Sequence, residues 1–415
     1  MPSIYNYKIN LCIPSQCTAC GACMNSCPKD CISFKEDEEG FIQPLIDRER
    51  CIECGSCMSA CPKINKKRIT FVLENRYEKP IFKGCWHKNA QIRSQSSSGG
   101  AFTALAQYVL LNKGIVFGAK FTSNLKVVHD FASDLNMLDV LRRSKYLQSD
   151  IGFSFRKVKY FLKQGRLVLF CGTPCQIDGL YGYLNRDYDN LLTVSLVCHG
   201  VPSYDIFRKY ISWIENRYRG KVSSFNFRSK KKGWDDGAIS LVRFNYTDKD
   251  IILKGKENSF QTALLKNLCL RKSCYCCSSN GICRSSDFTI SDLWAVFRLS
   301  DISNYDCPHM GISMLAINSE KGREAFDKGI CNYLYFTSLS DDVVTIDNPQ
   351  YIKSAVYNRE RDMFLCEIKN GKTWDEIYKK YLKSSIYEKL VLGIKLIFPP
   401  SVSFYIKRFI KRLIR

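Results

Sequence analysis

"RLVLFCGTPCQIDGLYGYLNRDYDNLLTVSLVCHG", residues 166–200, holds two apolar runs with one helix-length segment between them. "RLVLF" reads as a strand. Thr173-Pro174 opens a helix, because proline at the first helical turn gives up an N–H that has no partner there anyway. "NLLTVSLVCHG", residues 190–200, is a second strand. Strand, helix, strand with short loops makes the two strands parallel. The pattern extends both ways. A helix ends near Gly165, and "VPSYDIFRKYISWIENRYRG" (201–220) is a helix capped near Ser203. Upstream, "QSSSGGAFTALAQYVLLNKGIVFGAKF" (95–121) predicts a helix over Ala101–Leu111, capped by Ser96–Ser98 and stopped at Gly114, then a strand. The expected architecture is α/β with a mainly parallel sheet.

In such sheets the ligand crevice lies outside the carboxyl ends of the strands. Cys171, Cys175, Cys198 and His199 all fall at such ends. A thioredoxin-type disulfide does not suit Cys171 and Cys175, which are spaced C-x3-C rather than C-x-x-C. The helix that starts near Pro174, with Gly172 and Thr173 leading into it, offers free N–H groups of its first turn to a phosphate, but that leaves the cysteines unexplained. Cys171 reads as a buried thiol on the strand side. Cys175 lies in the first helical turn, where the helix dipole favours a thiolate. A later segment, "CLRKSCYCCSSNGIC" (269–283), adds the C-x2-C pair Cys274 and Cys277. Cys175, Cys198, Cys274 and Cys277 therefore form one candidate ligand set, with Cys269, Cys276 and Cys283 as rivals. His199 is the only histidine in a crevice loop and is the candidate proton donor near neutral pH.

The N-terminal region repeats one motif. "CTACGACMNSCP" (17–28) and "CIECGSCMSACP" (51–62) are each C-x2-C-x2-C-x3-C-P. Three closely spaced thiolates wrap one iron-sulfur cube, and the fourth, before proline, reaches the other. That scheme assigns Cys17, Cys20, Cys23 and Cys61 to one [4Fe-4S] cluster and Cys51, Cys54, Cys57 and Cys27 to the other. Zinc sites use paired C-x2-C units rather than two such triplets. Cys12 and Cys31 fall outside the pattern and read as buried thiols. Two cubes in one small α+β ferredoxin-like unit make a wire for single electrons, so two-electron chemistry belongs downstream.

Bulk composition frames these motifs. The chain has 415 residues, 22 cysteines and a formal net charge of +22. No secretory signal and no spanning apolar stretch is visible, so a cytoplasmic protein with metal-binding rather than disulfide-paired cysteines is expected. The positive balance favours an anionic partner. No nucleic-acid-binding motif is present, and nucleic acid is not expected as a ligand. The chain also lacks the G-x-G-x-x-G dinucleotide fingerprint.

Taken together, "SSSGGAFTAL", "SKYLQSD", "VLFCGTPCQIDGL", "CHGVPS", "FRSKKKGW", "LRKSCYCC", "RSSDFTISDLW" and "HMGISMLAINSEKG" resemble the beta-subunit family of coenzyme F-420 hydrogenases and dehydrogenases, which includes the plant hydroxymethyl-chlorophyll reductase. The resemblance covers residues 12 to about 325, and the N-terminal part resembles bacterial two-cluster ferredoxins. It implies FAD in the α/β domain and a third [4Fe-4S] cluster beside it. It also implies an organic substrate, either the deazaflavin coenzyme or a sugar-related metabolite of polysaccharide biosynthesis. Ser98, Gly99, Gly100, Lys145, Tyr146, Gln148 and Ser149 are the expected flavin contacts, with Lys145 facing a phosphate or reduced flavin. The family's Gly-Asp-x-Trp-Gly stretch is here Ser291-Asp292-Leu293-Trp294-Ala295, with both glycines replaced.

The expected division is a two-cluster ferredoxin domain over 1–65, a linker and entry segment over 66–90, a flavin and iron-sulfur α/β domain over 91–340 and a basic helical region over 341–415. The expected function is an iron-sulfur flavoprotein oxidoreductase that exchanges electrons with a partner protein and acts on a small molecule. The alternative is an electron-transfer subunit with no substrate of its own. "SVSFYIKRFIKRLIR" (401–415) places apolar and basic residues on opposite helical faces, the pattern of a helix lying on an anionic membrane at the inner face.

Overall fold

A computed structural model describes residues 10–231, 233–234, 239–299 and 304–383. The amphipathic helix expected over 401–415 lies outside the described residues. Among them, no helix is long and apolar enough to cross a membrane.

The N-terminal repeat folds as two short helices, Ala22–Ser26 and Ser56–Ala60, plus a hairpin of β1 (Ile32–Glu36) and β2 (Ile42–Ile46). Each helix starts at a glycine with positive φ, Gly21 (84°) and Gly55 (74°). That left-handed turn, which glycine adopts without a Cβ penalty, lets three cysteines curl around one centre.

The larger unit is an eight-stranded sheet. Its strands are β3 (Ile81–His87), β4 (Ile115–Phe121), β5 (Val127–Ala132), β6 (Val168–Gly172) and β7 (Leu191–Leu196). A separate antiparallel sheet follows, made of β8 (Val222–Ser229), β9 (Ile239–Phe244) and β10 (Ile251–Ile252). The large sheet then resumes with β11 (Phe288–Asp292), β12 (Ser313–Ile317) and β13 (Leu334–Ser338). The large sheet runs β13-β3-β12-β11-β7-β6-β4-β5. Its centre, β4, β6, β7 and β11, is parallel. Antiparallel strands flank that centre on both sides. The parallel part comes from strand-helix-strand units with buried apolar runs. One flank pairs strands far apart in sequence, β3 with β12 and β13, which the local pattern around 166–200 does not foresee. The result is a mixed sheet with a parallel middle.

Three expectations change. Residues 81–87, expected within a linker, are β3, paired with β12 and β13. The helix Ala101–Leu111 is capped by Gly100 rather than by serine. The region 91–340 is not one layer: β8–β10 pack with the helix Tyr204–Tyr218 and with residues beyond 340, including Phe364, Trp374 and Ile377, around a core of their own.

The ferredoxin unit docks on the α/β unit through polar contacts to its cluster loops. Asn25 Nδ2 donates to Gly152 O at 2.9 Å. Gln148 Nε2 donates to Thr18 O at 2.8 Å. Arg156 Nη2 donates to Cys27 O at 2.7 Å. The buried Arg361 pairs with Glu39 at 2.6 Å.

Candidate functional site

Both N-terminal ligand sets converge. Cys17, Cys20, Cys23 and Cys61 line one concavity of about 380 Å³, open mouth included, with Phe34, Pro44 and Lys63. Cys27, Cys51, Cys54 and Cys57 line a second, of about 320 Å³, with Ile32 and Ile46. Cys12 and Cys31, which the motif leaves out, also line these walls. Cys12 hydrogen-bonds with Cys61, and Cys31 Sγ lies 3.3 Å from Cys27 Sγ. Each extra thiol thus sits against the ligand that precedes proline, a pairing no spacing rule exposes. Cys23 of the first set feels the charge of Cys57 of the second, so the two centres adjoin.

The helix Pro174–Leu184 links this wire to the sheet. Thr173 N–H donates to Gln176 Oε1 at 3.0 Å, closing the helix start. Gly179 faces Cys20 so closely that a Cβ there would lie 2.8 Å from its Sγ. Gly182 faces the Ala60 carbonyl, which a Cβ would approach to 2.3 Å. Glycine at both positions lets the ferredoxin unit lie directly on the helix. The same helix carries Cys175 in its first turn, so Cys20 and Cys175 interact electrostatically.

Cys175, Cys198, Cys274 and Cys277 come together at the carboxyl ends of β6 and β7. Cys198 feels Cys274, Cys175 and Cys277, and Cys175 feels Cys277 and Cys274. The four arrive from three separate segments. The loop after β7 is held by Arg271 N–H donating to Val201 O at 3.0 Å, which brings the 269–277 loop over it. Burial and the neighbouring thiols push the Cys175 thiol up to about 12 and the Cys274 thiol up to about 11. Four thiolates crowded in a dry site are unstable without a cation among them. Nearby, the buried Nη1 of Arg284 has no hydrogen-bond partner among the described residues, and Arg284 feels Cys198 and Cys277. An anionic cluster suits that orphaned donor. Of the rivals, Cys269 is buried in the core around β8–β10, and Cys276 and Cys283 are exposed. Cys171 is buried as expected.

The expected flavin contacts divide into two groups. Ser98, Lys145 and Tyr146 lie with a set of basic residues around the loop 93–100. Arg228 donates to Tyr146 Oη at 3.1 Å and to Ser97 O at 3.5 Å, and it pairs with Asp292 at 2.9 Å. Lys230 donates to Ser98 O, Arg93 O and Met310 O. Lys145 Nζ donates to Val140 O and Arg142 O, and burial lowers its pKa to about 7. Arg142 has a buried Nε without a hydrogen-bond partner among the described residues. This cation-rich loop suits a diphosphate-bearing cofactor. Asp292 also accepts from Trp234 Nε1 at 2.8 Å, and Trp234 stacks on Trp294 at 4.7 Å. Arg228, Trp234 and Lys230 are site residues that sequence reasoning missed. The quoted "FRSKKKGW" held the signal, but only the β8 turn reveals which of its cations point inward.

The remaining expected contacts have hydrogen-bond or packing partners within the protein. Gln148 holds Thr18 O with its Nε2 and accepts from Arg271, so it fastens the ferredoxin unit. Ser149 accepts from Gln176 Nε2, and with Gly172, Thr173 and Pro174 it belongs to the helix start that carries Cys175. The Gly99 N–H, expected to be free for an anion, donates to Ser313 Oγ at 2.9 Å, and a Cβ on Gly99 would lie 2.4 Å from Cys85 O. Gly99 and Gly100 therefore serve close packing of β3, β12 and the helix start. His199 pairs through Nε2 with Asn267 Oδ1 at 2.7 Å, which ties two loops together.

Two family models match the chain. Residues 165–342 match the model for the C-terminal part of the coenzyme F420 hydrogenase/dehydrogenase beta subunit, and residues 16–65 match a 4Fe-4S dicluster domain. No curated protein matches the chain. Among solved structures, a chain of the F420-reducing [NiFe] hydrogenase complex from Methanosarcina barkeri aligns over 77% of this chain and 94% of its own length, at 17% identity and a TM-score of 0.42.

Proposed function

We propose, from the match of residues 165–342 to the coenzyme F420 hydrogenase/dehydrogenase beta-subunit model and of residues 16–65 to a 4Fe-4S dicluster domain, that the chain is an oxidoreductase of that kind, which relays single electrons to or from a bound FAD that acts on an organic substrate. The observation that carries the reading is the convergence of Cys175, Cys198, Cys274 and Cys277 beside Cys20. When bound, the clusters would carry one electron each, and the flavin would interconvert two such electrons and a proton with a hydride.

The chain's own residues do the rest. Gly179 and Gly182 hold the dicluster unit against the helix that carries Cys175. Arg142, Lys145, Arg228 and Lys230 provide the positive wall for the cofactor's phosphates. Asp292 holds Arg228 and Trp234 in place at the end of β11, next to β7, whose end carries Cys198. The substrate is a deazaflavin or a sugar-related metabolite, and a protein is the single-electron partner.

Anaerobic purification of the full chain tests the reading. Iron and sulfide should count to about twelve each, three cubes of four, and denaturation should release FAD. About eight irons would remove the third site. Absence of FAD, or no turnover of deazaflavin or candidate sugars with an artificial donor until a protein partner is added, would leave an electron relay without a substrate of its own.

A further inference from the structure

Six arginines are buried among the described residues: Arg76, Arg93, Arg228, Arg271, Arg284 and Arg361. Four of them have a carboxylate partner. Arg76 pairs with Asp287, Arg93 with Asp306, Arg228 with Asp292 and Arg361 with Glu39. The two exceptions are the two beside the third cysteine set. Arg271, 1% exposed, donates to Gln148 Oε1 at 3.0 Å, Cys17 O at 3.2 Å and Ile42 O at 2.7 Å, all neutral oxygens. Arg284, 3% exposed, donates to Gly281 O at 3.2 Å and Tyr351 O at 2.6 Å, and its Nη1 is left over.

A buried guanidinium without a counter-charge costs several kcal/mol. Such a cost persists where an anion of another kind stands nearby. Arg271 feels Cys17, Cys274, Asp37 and Cys175, which belong to two different centres apart from the carboxylate. Arg284 feels Tyr351, Cys198, Cys277 and Asp178. A cube held by thiolates is an anion, and adding one electron adds one negative charge without making or breaking a bond. Net charge around a cube is one of the terms that set its potential.

We infer that Arg271 and Arg284 are the counter-charges of the inner wire. Arg271 raises the reduction potentials of the Cys17/Cys20/Cys23/Cys61 cluster and the third cluster together. Arg284 raises that of the third cluster alone. The inference rests on the reading that Cys175, Cys198, Cys274 and Cys277 hold a cluster. The cluster at Cys51, Cys54, Cys57 and Cys27 is the internal control, because none of its thiols is among the charges that act most strongly on either arginine.

The test is a potentiometric titration of the full chain, reduced with dithionite and followed by electron paramagnetic resonance, in wild type, R271Q, R271K, R284Q and R284K. R271Q should lower two potentials, each by at least the 59 mV that corresponds to a tenfold change in the ratio of reduced to oxidised cluster. R284Q should lower one. The lysine variants keep the charge and should keep the wild-type potentials. Equal shifts in the glutamine and lysine variants, or a shift of the control cluster as large as the others, would overturn the inference. Should R271Q lose iron, R271K decides: wild-type potentials support the charge role, and loss of iron there too refutes it. A wild type with only two clusters would instead sink the third-site reading, while the effect of Arg271 on the first cluster would still be measured.

Discussion

The two halves of the N-terminal repeat share one motif yet occupy opposite surroundings. The centre at Cys20 lies against the helix Pro174–Leu184, walled by Gly179 and by the α/β unit. The centre at Cys54 faces outward: Cys54 is exposed, and Ile52 beside it is 57% exposed. Burial pushes the Cys20 thiol up, whereas hydrogen bonding with Ser56 lowers that of Cys54. A duplicated motif therefore becomes a polar wire. One end is open to a partner and the other is built into the domain that carries the third cysteine set.

Four experiments break or sharpen that contrast. The largest effect is expected from Cys175→Ala, at the inner end. It should lower the iron count by about four, leave both N-terminal clusters, and stop flavin reduction through them. An unchanged count would return Cys175 to the status of a buried thiol.

Gly179→Leu acts at the junction itself. Any side chain there must displace Cys20, and overpacking of this kind costs about 1–3 kcal/mol. Electron passage from the outer centre to the flavin should slow as the gap between Cys20 and the helix widens, with the iron count intact. The corresponding substitution at exposed Ile52 should leave passage unchanged. Stopped-flow reduction with a one-electron donor reads both.

Acid should strike the inner side. His129 is buried, its Nε2 bonds Cys171 O at 2.9 Å, and burial pushes its pKa down to about 4. The unfolded imidazole binds a proton near 6.5, so between about pH 6.5 and 4 the unfolded state holds more protons and stability falls as pH falls. From pH 7 to 4.5 the loss from this group is about 2 kcal/mol. Denaturation of wild type and His129→Gln at the two pH values checks it. The variant should show a correspondingly smaller drop, and an identical drop would clear His129.

The smallest effect concerns accessibility. A soluble chelator under mild oxidation should strip the outer cluster a few-fold faster than the inner one, since exposure governs cysteine reactivity. Mössbauer or resonance spectra during the reaction would reveal the order, and loss of the inner cluster first would contradict the polarity.

Much of this was legible in the chain. The eight N-terminal cysteines follow from spacing alone, because each cube takes three ligands from one short turn. The helix over Ala101–Leu111 and the strand over Ile115–Phe121 follow from local periodicity. The third set is approachable through strand ends and a C-x2-C pair. By contrast, β3 was hidden because its partners β12 and β13 lie more than 220 residues downstream. The flavin contacts were harder still, since serine, glycine and glutamine look alike in sequence whether they bind a ligand, cap a helix or fasten two domains.

By itself, the sequence determined what local chemistry fixes: two cubes in a repeated motif, and a strand-helix-strand centre with its cysteines at the carboxyl ends. Only the tertiary structure decided which repeat faces inward, which buried arginines lack a carboxylate, and that Gln148 and His199 are committed to holding loops. The reason is physical. Spacing governs groups within a few residues of one another, whereas burial and charge pairing depend on neighbours the chain brings in from hundreds of residues away.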